Sequence, residues 1–296
     1  MNARDAMLGA AVAVVWGLTF IASKLVLREV SPLLLTALRF AFAALPCLVV
    51  RRPPLSWPLL VALGATLFAA QFSAQFYGLA HGVPAGLTSV MVQCQALFTI
   101  AFAAVLLREL PGRVQLAGMA ISVAGLAMIW ASLGGEFSAT TFALTMVSPV
   151  SFAIGNLLLR RAAGVKMFDL IAWMSLVVPL PLVAAAMASD GVGPTLHDLV
   201  DLSVAGWSAV LMMGVIATTL AYWAWGHLLQ RHAAAEVVPF ALLVPVVASI
   251  AGAVQFGERF APLRLAGMVM LVLGVGVTVL LGRPRPAASA IEVEPV

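Results

Sequence analysis

Ten long apolar stretches, separated by short clusters of charge, proline and glycine, run along the 296-residue chain. They fall near residues 6–28, 32–50, 57–80, 83–107, 112–131, 138–160, 167–188, 204–229, 233–256 and 262–281. None alternates polar and apolar residues strictly, so the pattern is that of helices rather than strands. At 1.5 Å per residue each is about 30 Å of helix, the thickness of a bilayer core. Backbone groups in lipid must be satisfied within the segment, which leaves helices or closed barrels. The pattern predicts an all-α integral membrane protein with ten transmembrane helices, spans 1 to 10.

Composition agrees. The chain is 63% hydrophobic and 9% charged, against about 25% charged in soluble domains. Its mean hydropathy is +1.09. The first run ends in Lys24 and Arg28 rather than in a small-residue cleavage site, so it is expected to stay as a span. Cys47 and Cys94 fall inside spans and are expected to pack as small apolar residues without a disulfide.

Loop charge predicts orientation. With the N-terminus inside, the inner segments hold Arg4, Arg51, Arg52, Arg108, Arg113, Arg160, Arg161, Lys166, Arg231, Arg283 and Arg285. The outer ends hold Arg28, Arg259 and Arg264. This asymmetry places both termini in the cytoplasm. It also accounts for the net charge of +4 and the pI of 9.7 without nucleic acid as a partner. The longest outer loop, near 189–203, is acidic.

The charged turn at Arg108–Glu109 and the helix after it return 149 residues later. Glu109 maps to Glu258, Leu116–Met119 to Leu265–Met268, Gly125 to Gly274 and Ala85 to Ala234. Such self-similarity marks an internal repeat. The earliest spans match at an offset of 132, Leu25–Arg28 against Leu157–Arg160, and the loop near 189–203 takes up the difference. Five spans per half is an odd number, so the second copy enters the membrane inverted. The expected organisation is a first five-helix repeat over 1–136, an inverted repeat over 137–282, and a polar, Pro-rich, disordered cytoplasmic tail over 283–296.

Polar groups inside spans are costly unless paired or facing water, so each is a functional candidate. Interhelical hydrogen bonding is the alternative for each. Gln71 and Gln75 lie one turn apart on span 3, with Tyr77 and His81 near its outer end. Ser89 and Gln93 share a face of span 4. Trp16, Phe20 and Lys24 form a stripe on span 1, flanked by Thr19 and Ser23. Aromatic faces beside a cation suit an apolar side chain and a carboxylate; for Lys24, snorkelling to the surface is the alternative. Arg39 lies about 10 Å into span 2, as a structural charge or a substrate ligand. Span 6 offers Ser151 and Asn156, and span 8 offers Tyr222. Pro239 and Pro245 fall within span 9, where each frees a carbonyl and a kink lining a cavity is expected; Pro84 and Pro149 are expected to act at helix starts. His227 and His232 are expected at the surface near the inner end. Spans 5 and 10 carry glycines and few polar groups, and read as packing helices.

The absences exclude other classes. The acidic residues all lie at or beyond span ends, which disfavours a multidrug antiporter built on a buried mid-membrane carboxylate. No phosphate-binding loop implies ATP drive or an ATPase subunit. No metal-ligand spacing or convergent catalytic set occurs, and no cofactor or enzymatic activity is expected.

Trp16-Gly17-x-x-Phe20 with Lys24, Ser31-Pro32 with Arg39-Phe40, and Leu107-x-Glu109 before a Gly-punctuated fifth span together resemble the ten-helix EamA-type exporters of the drug/metabolite transporter superfamily. The resemblance covers residues 6–282 and is nearest to bacterial inner-membrane exporters of aromatic and neutral amino acids. The second half departs from it, with Ser148-Pro149 in place of Trp-Gly and Asn156 in place of Lys24. The expected mechanism is alternating access around a site formed by spans 1, 3, 4, 6, 8 and 9, whose aromatic and amide residues suit a small zwitterion as substrate, with the lipid bilayer as surroundings. His81 would be the first candidate if transport were proton-coupled. The alternatives are a carrier of phosphorylated or nucleotide-linked sugars, a channel, or a membrane enzyme.

Overall fold

A computed structural model describes residues 1–133 and 137–282; the tail from 283 and the junction between halves at 136 lie outside the described residues. Among these residues the chain is helical throughout, with no strand. Nine helical stretches are long and apolar enough to cross a membrane: Ala3–Val26, Trp57–Ala80, Ala85–Leu106, Arg113–Ala131, Ala139–Ala162, Met167–Asp190, Val204–Arg231, Val238–Phe256 and Pro262–Leu281. The tenth apolar helix, Pro32–Leu48, is span 2 and is shorter. Its regular part ends at Ala43, where a 3₁₀ turn over Leu45–Leu48 begins. Pro46 has no N–H to give to the carbonyl of Phe42, so the α-helix cannot continue.

Several spans are interrupted in ways that position side chains. Span 3 passes through a π-helical stretch, Ala65–Ala70, and span 8 through another, Met212–Leu220. The Thr218 and Thr219 hydroxyls donate to carbonyls five residues back, at Met213 and Gly214. Span 4 breaks at Gln93–Cys94, between the helices Ala85–Val92 and Gln95–Leu106. Span 9 is a 3₁₀ stretch, Val238–Leu242, followed by the helix Leu243–Phe256. Pro149 lies inside the helix Ala139–Leu159, not at its start. A neighbouring span lies against that region, with the hydroxyl of Ser151 donating to the carbonyl of Thr66 at 2.9 Å. The acidic segment near 189–203 is not irregular: Val192–Asp201 forms a helix opened by Gly191 at φ +97°.

Spans 5 and 10 pack directly on one another, and glycine permits it. A β-carbon on Gly125 would lie 2.6 Å from the carbonyl oxygen of Gly267, and one on Gly274 would lie 2.6 Å from that of Gly118. The pairing order runs backwards along the two helices, so they are antiparallel. Ser122 donates across the contact to the carbonyl of Leu271 at 3.2 Å. The remaining spans enclose a core that includes Phe40, Phe68, Phe72 and Phe76. Phe40 stacks on Phe68 with centroids 4.5 Å apart.

Candidate functional site

A cavity of about 290 Å³ lies in the middle of the bundle, at the small end of ligand pockets, roughly 300–1,000 Å³. Trp16, Phe20, Arg39, Gln71, Phe72, Gln75, Ser89, Val92, Gln93, Gln95, Phe152, Tyr222, Trp225, Ala241 and Val244 line it. Seven spans contribute, and span 2 joins the six expected. Arg39 is its charged residue.

The wall is built by the interruptions just described. Pro245 has no N–H for the carbonyl of Ala241, four residues back. The side-chain amide of Gln93 donates to that carbonyl at 3.3 Å. The expected carbonyl release in span 9 is thus present, at Pro245. Pro239 sits in the 3₁₀ stretch and is not on the wall. On span 8 the π-helical stretch presents the Ala217 carbonyl, which accepts from the Trp16 indole at 2.9 Å. The Trp16 ring then lies 5.1 Å from Tyr222 and 5.2 Å from Trp225, centroid to centroid, as an aromatic cluster.

Arg39 is 2% exposed. Its Nε donates to the hydroxyl of Thr218 at 3.1 Å, and its guanidinium lies over Phe72, 4.1 Å from the ring centroid. Cation–π contact with a desolvated ring contributes about 2 kcal/mol, which only partly offsets the several kcal/mol of burying a cation. Arg39 forms no ion pair among the described residues. Its Nη1 has no hydrogen-bond partner, and neither have Gln71 Oε1 and Gln95 Oε1.

A second hollow shares Gln93, Gln95 and Ala241 with the cavity and continues past Thr99, Asn156 and Val238. The space therefore extends toward the end of the bundle that carries the N-terminus. Asn156 belongs to this extension, where its amide donates to the Thr99 hydroxyl at 3.2 Å. Toward the opposite end stands an ion pair. Lys24 does not line the cavity: its Nζ donates to Glu258 Oε1 at 2.8 Å, and the Glu258 side chain is 5% exposed. The same oxygen accepts from the backbone N–H of Ala85 at 2.7 Å, and Oε2 accepts from that of Gly86 at 3.1 Å. The carboxylate thus caps the N-terminus of Ala85–Val92, a favourable place for negative charge. Gly252 makes room for it, since a β-carbon there would meet the carboxylate. Phe20 is one turn from Lys24, so the knot lies about 6 Å beyond the cavity.

The other candidates lie off the wall. Thr19 and Ser23 turn their hydroxyls to carbonyls of their own helix, Trp16 and Thr19. Ser151 binds Thr66, as above. Tyr77 and His81 stack at 3.9 Å and line a separate hollow near Ser31 and Asp190. His232 is not a free surface group, because its Nε2 lies 2.6 Å from Asp5 Oδ2. Sequence reasoning missed Phe72, which lacked polarity to flag it, and the role of Glu258, which follows the end of its helix and reads as a loop charge.

A multi-span helical membrane protein with a central cavity that continues toward one end of the bundle is built as transporters are. The chain belongs to the EamA-like transporter family, which matches residues 4–131 and again 140–280. It is 35% identical to a protein of Salmonella typhimurium described as a "Probable amino-acid metabolite efflux pump", over 97% of this chain and 99% of the relative. The similarly described Escherichia coli protein is 34% identical over 98% of this chain and 99% of its own. A "Probable terminal-alkyne amino-acid exporter" of Streptantibioticus cattleyicolor is 30% identical, covering 88% and 86%. A crystal structure at 19% identity superposes with a TM-score of 0.65, covering 95% of this chain and 98% of the other; at that identity the likeness carries the fold alone.

Proposed function

We propose that this efflux transporter exports aromatic or neutral amino acids, or related small metabolites, across the bacterial inner membrane with both termini in the cytoplasm. The observation that carries the reading is the cavity itself. It combines aromatic faces at Trp16, Phe72, Tyr222 and Trp225 with amides at Gln71, Gln75, Gln93 and Gln95 and one guanidinium. That lining suits a zwitterion with an apolar side chain. A phosphorylated sugar brings about −1.5 to −2 charge to a site holding one cation, because Lys24 is engaged by Glu258. The names of the three relatives point the same way.

Alternating access is the proposed mechanism. The Lys24–Glu258 knot seals the outer end, and the cavity's extension past Asn156 is the inner approach. Two inverted repeats, 1–136 and 137–282, would exchange these roles by rocking. The reciprocal glycine contacts support that symmetry: Gly118 and Gly267 are equivalents, as are Gly125 and Gly274, and each faces the other's equivalent. Ser122 and Leu271, equivalent by the same offset, meet at the crossing. The double match to the family supports it as well. Cells overproducing the protein and fed amino-acid dipeptides, which load the cytoplasm, should release the liberated amino acid several-fold faster than cells without it. Unchanged release across a panel of aromatic and neutral residues would overturn the reading.

A further inference from the structure

We propose that Arg39 is the anchor for a carboxylate of the transported molecule. It rests on the amino-acid reading only for the ammonium half of the ligand; the carboxylate half follows from the cavity alone. Three observations converge. The guanidinium is buried on the cavity wall, yet no acidic side chain among the described residues pairs with it. Its Nε is held by Thr218 and its face by Phe72, so the fork is fixed in place and not free to snorkel. Nη1 is left without a partner. A fixed, desolvated guanidinium with a buried, unpaired N–H donor is complementary to a planar carboxylate, which it can hold with charge-assisted hydrogen bonds. The orphan acceptors on the same wall, Gln71 Oε1 and Gln95 Oε1, are of the opposite kind. They suit the N–H donors of an ammonium group. The one buried cation of the site and its unpaired acceptors therefore divide a zwitterion between them.

Lys24 does not compete for this role. Its charge is neutralised by Glu258 about one turn beyond the cavity, whereas Arg39 stands on the wall itself.

The test uses three probes of one shape on the full-length protein in proteoliposomes: L-phenylalanine, 3-phenylpropionate, which lacks the ammonium, and phenethylamine, which lacks the carboxylate. Binding is read by titration calorimetry on wild type, Arg39→Gln and Arg39→Lys, each first checked for a monodisperse folded species. Wild type should bind the two carboxylates and bind phenethylamine roughly tenfold to hundredfold more weakly. Arg39→Gln should abolish that preference, and Arg39→Lys should keep it at reduced affinity. Wild type binding phenethylamine as tightly as phenylalanine overturns the proposal without need of any variant, as does an unchanged preference in folded Arg39→Gln. If 3-phenylpropionate alone binds wild type and the preference is lost in Arg39→Gln, the anchor stands and the amino-acid reading fails. If none of the three binds, both fall.

Discussion

Lys24 Nζ and Glu258 Oε1 lie 2.8 Å apart, although 234 positions separate the two residues. The contact ties span 1 to the connection between spans 9 and 10. Through the N–H groups of Ala85 and Gly86 it also ties in the start of span 4. Three pieces of chain are fastened at one carboxylate.

The Lys24 side chain is 21% exposed and that of Glu258 5%, so removing Lys24 leaves a largely buried carboxylate without its counter-charge, a costly change. Glu258→Gln and Lys24→Met should each lower the melting temperature in detergent, and the double variant should recover part of the loss. The coupling energy of the cycle should fall in the range of roughly 0.5–3 kcal/mol. Strictly additive effects would show that the two groups do not act as a pair.

Trp16 binds the Ala217 carbonyl and packs against Tyr222 and Trp225. Trp16→Phe keeps a ring and removes the N–H. We expect a stability loss of about 0.5–1.5 kcal/mol and weaker substrate exchange, because the aromatic wall loses its tether to span 8. Exchange at wild-type affinity would remove Trp16 from the site.

The contact between spans 5 and 10 leaves no space for a side chain at Gly125 or Gly267. Gly267→Val should destabilise the protein by about 1–3 kcal/mol or more through overpacking. Gly193, where a β-carbon would meet nothing within 4 Å, is the control, and Gly193→Ala should be silent. Equal melting temperatures for the two variants would contradict the close approach.

The spans were legible because hydropathy and length act directly on the element that forms. Gln71, Gln75, Ser89 and Gln93 were legible because i, i+4 spacing puts polar groups on one stripe. Arg39 was only half legible: its depth could be counted along the helix, but not the direction it faces. Glu258 was misleading, since a carboxylate beyond a helix end looks solvated until the fold returns it to span 1. The π-helical stretches that present the Ala217 and Thr66 carbonyls had no sequence signal at all.

At the end of the bundle that carries the N-terminus, Arg160 Nη1 donates to Glu109 Oε1 at 2.6 Å across an exposed surface. That hydrogen bond holds the Glu109 carboxyl below its ordinary pKa of 4.5. A depressed folded-state value means the pair stabilises fully above the ordinary carboxylate range and loses its effect as pH falls through the lowered value. The difference in melting temperature between wild type and Glu109→Gln should be small, constant near neutrality, and should shrink away as the pH falls through the lowered carboxyl value. A difference that grew on acidification would contradict the pairing.

The central claim is that the cavity carries amino acids, and counterflow tests it most directly. Purified protein in proteoliposomes preloaded with one unlabelled amino acid should transiently concentrate the same labelled amino acid from outside. Aromatic and neutral members of a panel should give the largest overshoot, and protein-free vesicles none. If no amino acid of the panel gives an overshoot in vesicles containing folded protein, the account of this site is wrong.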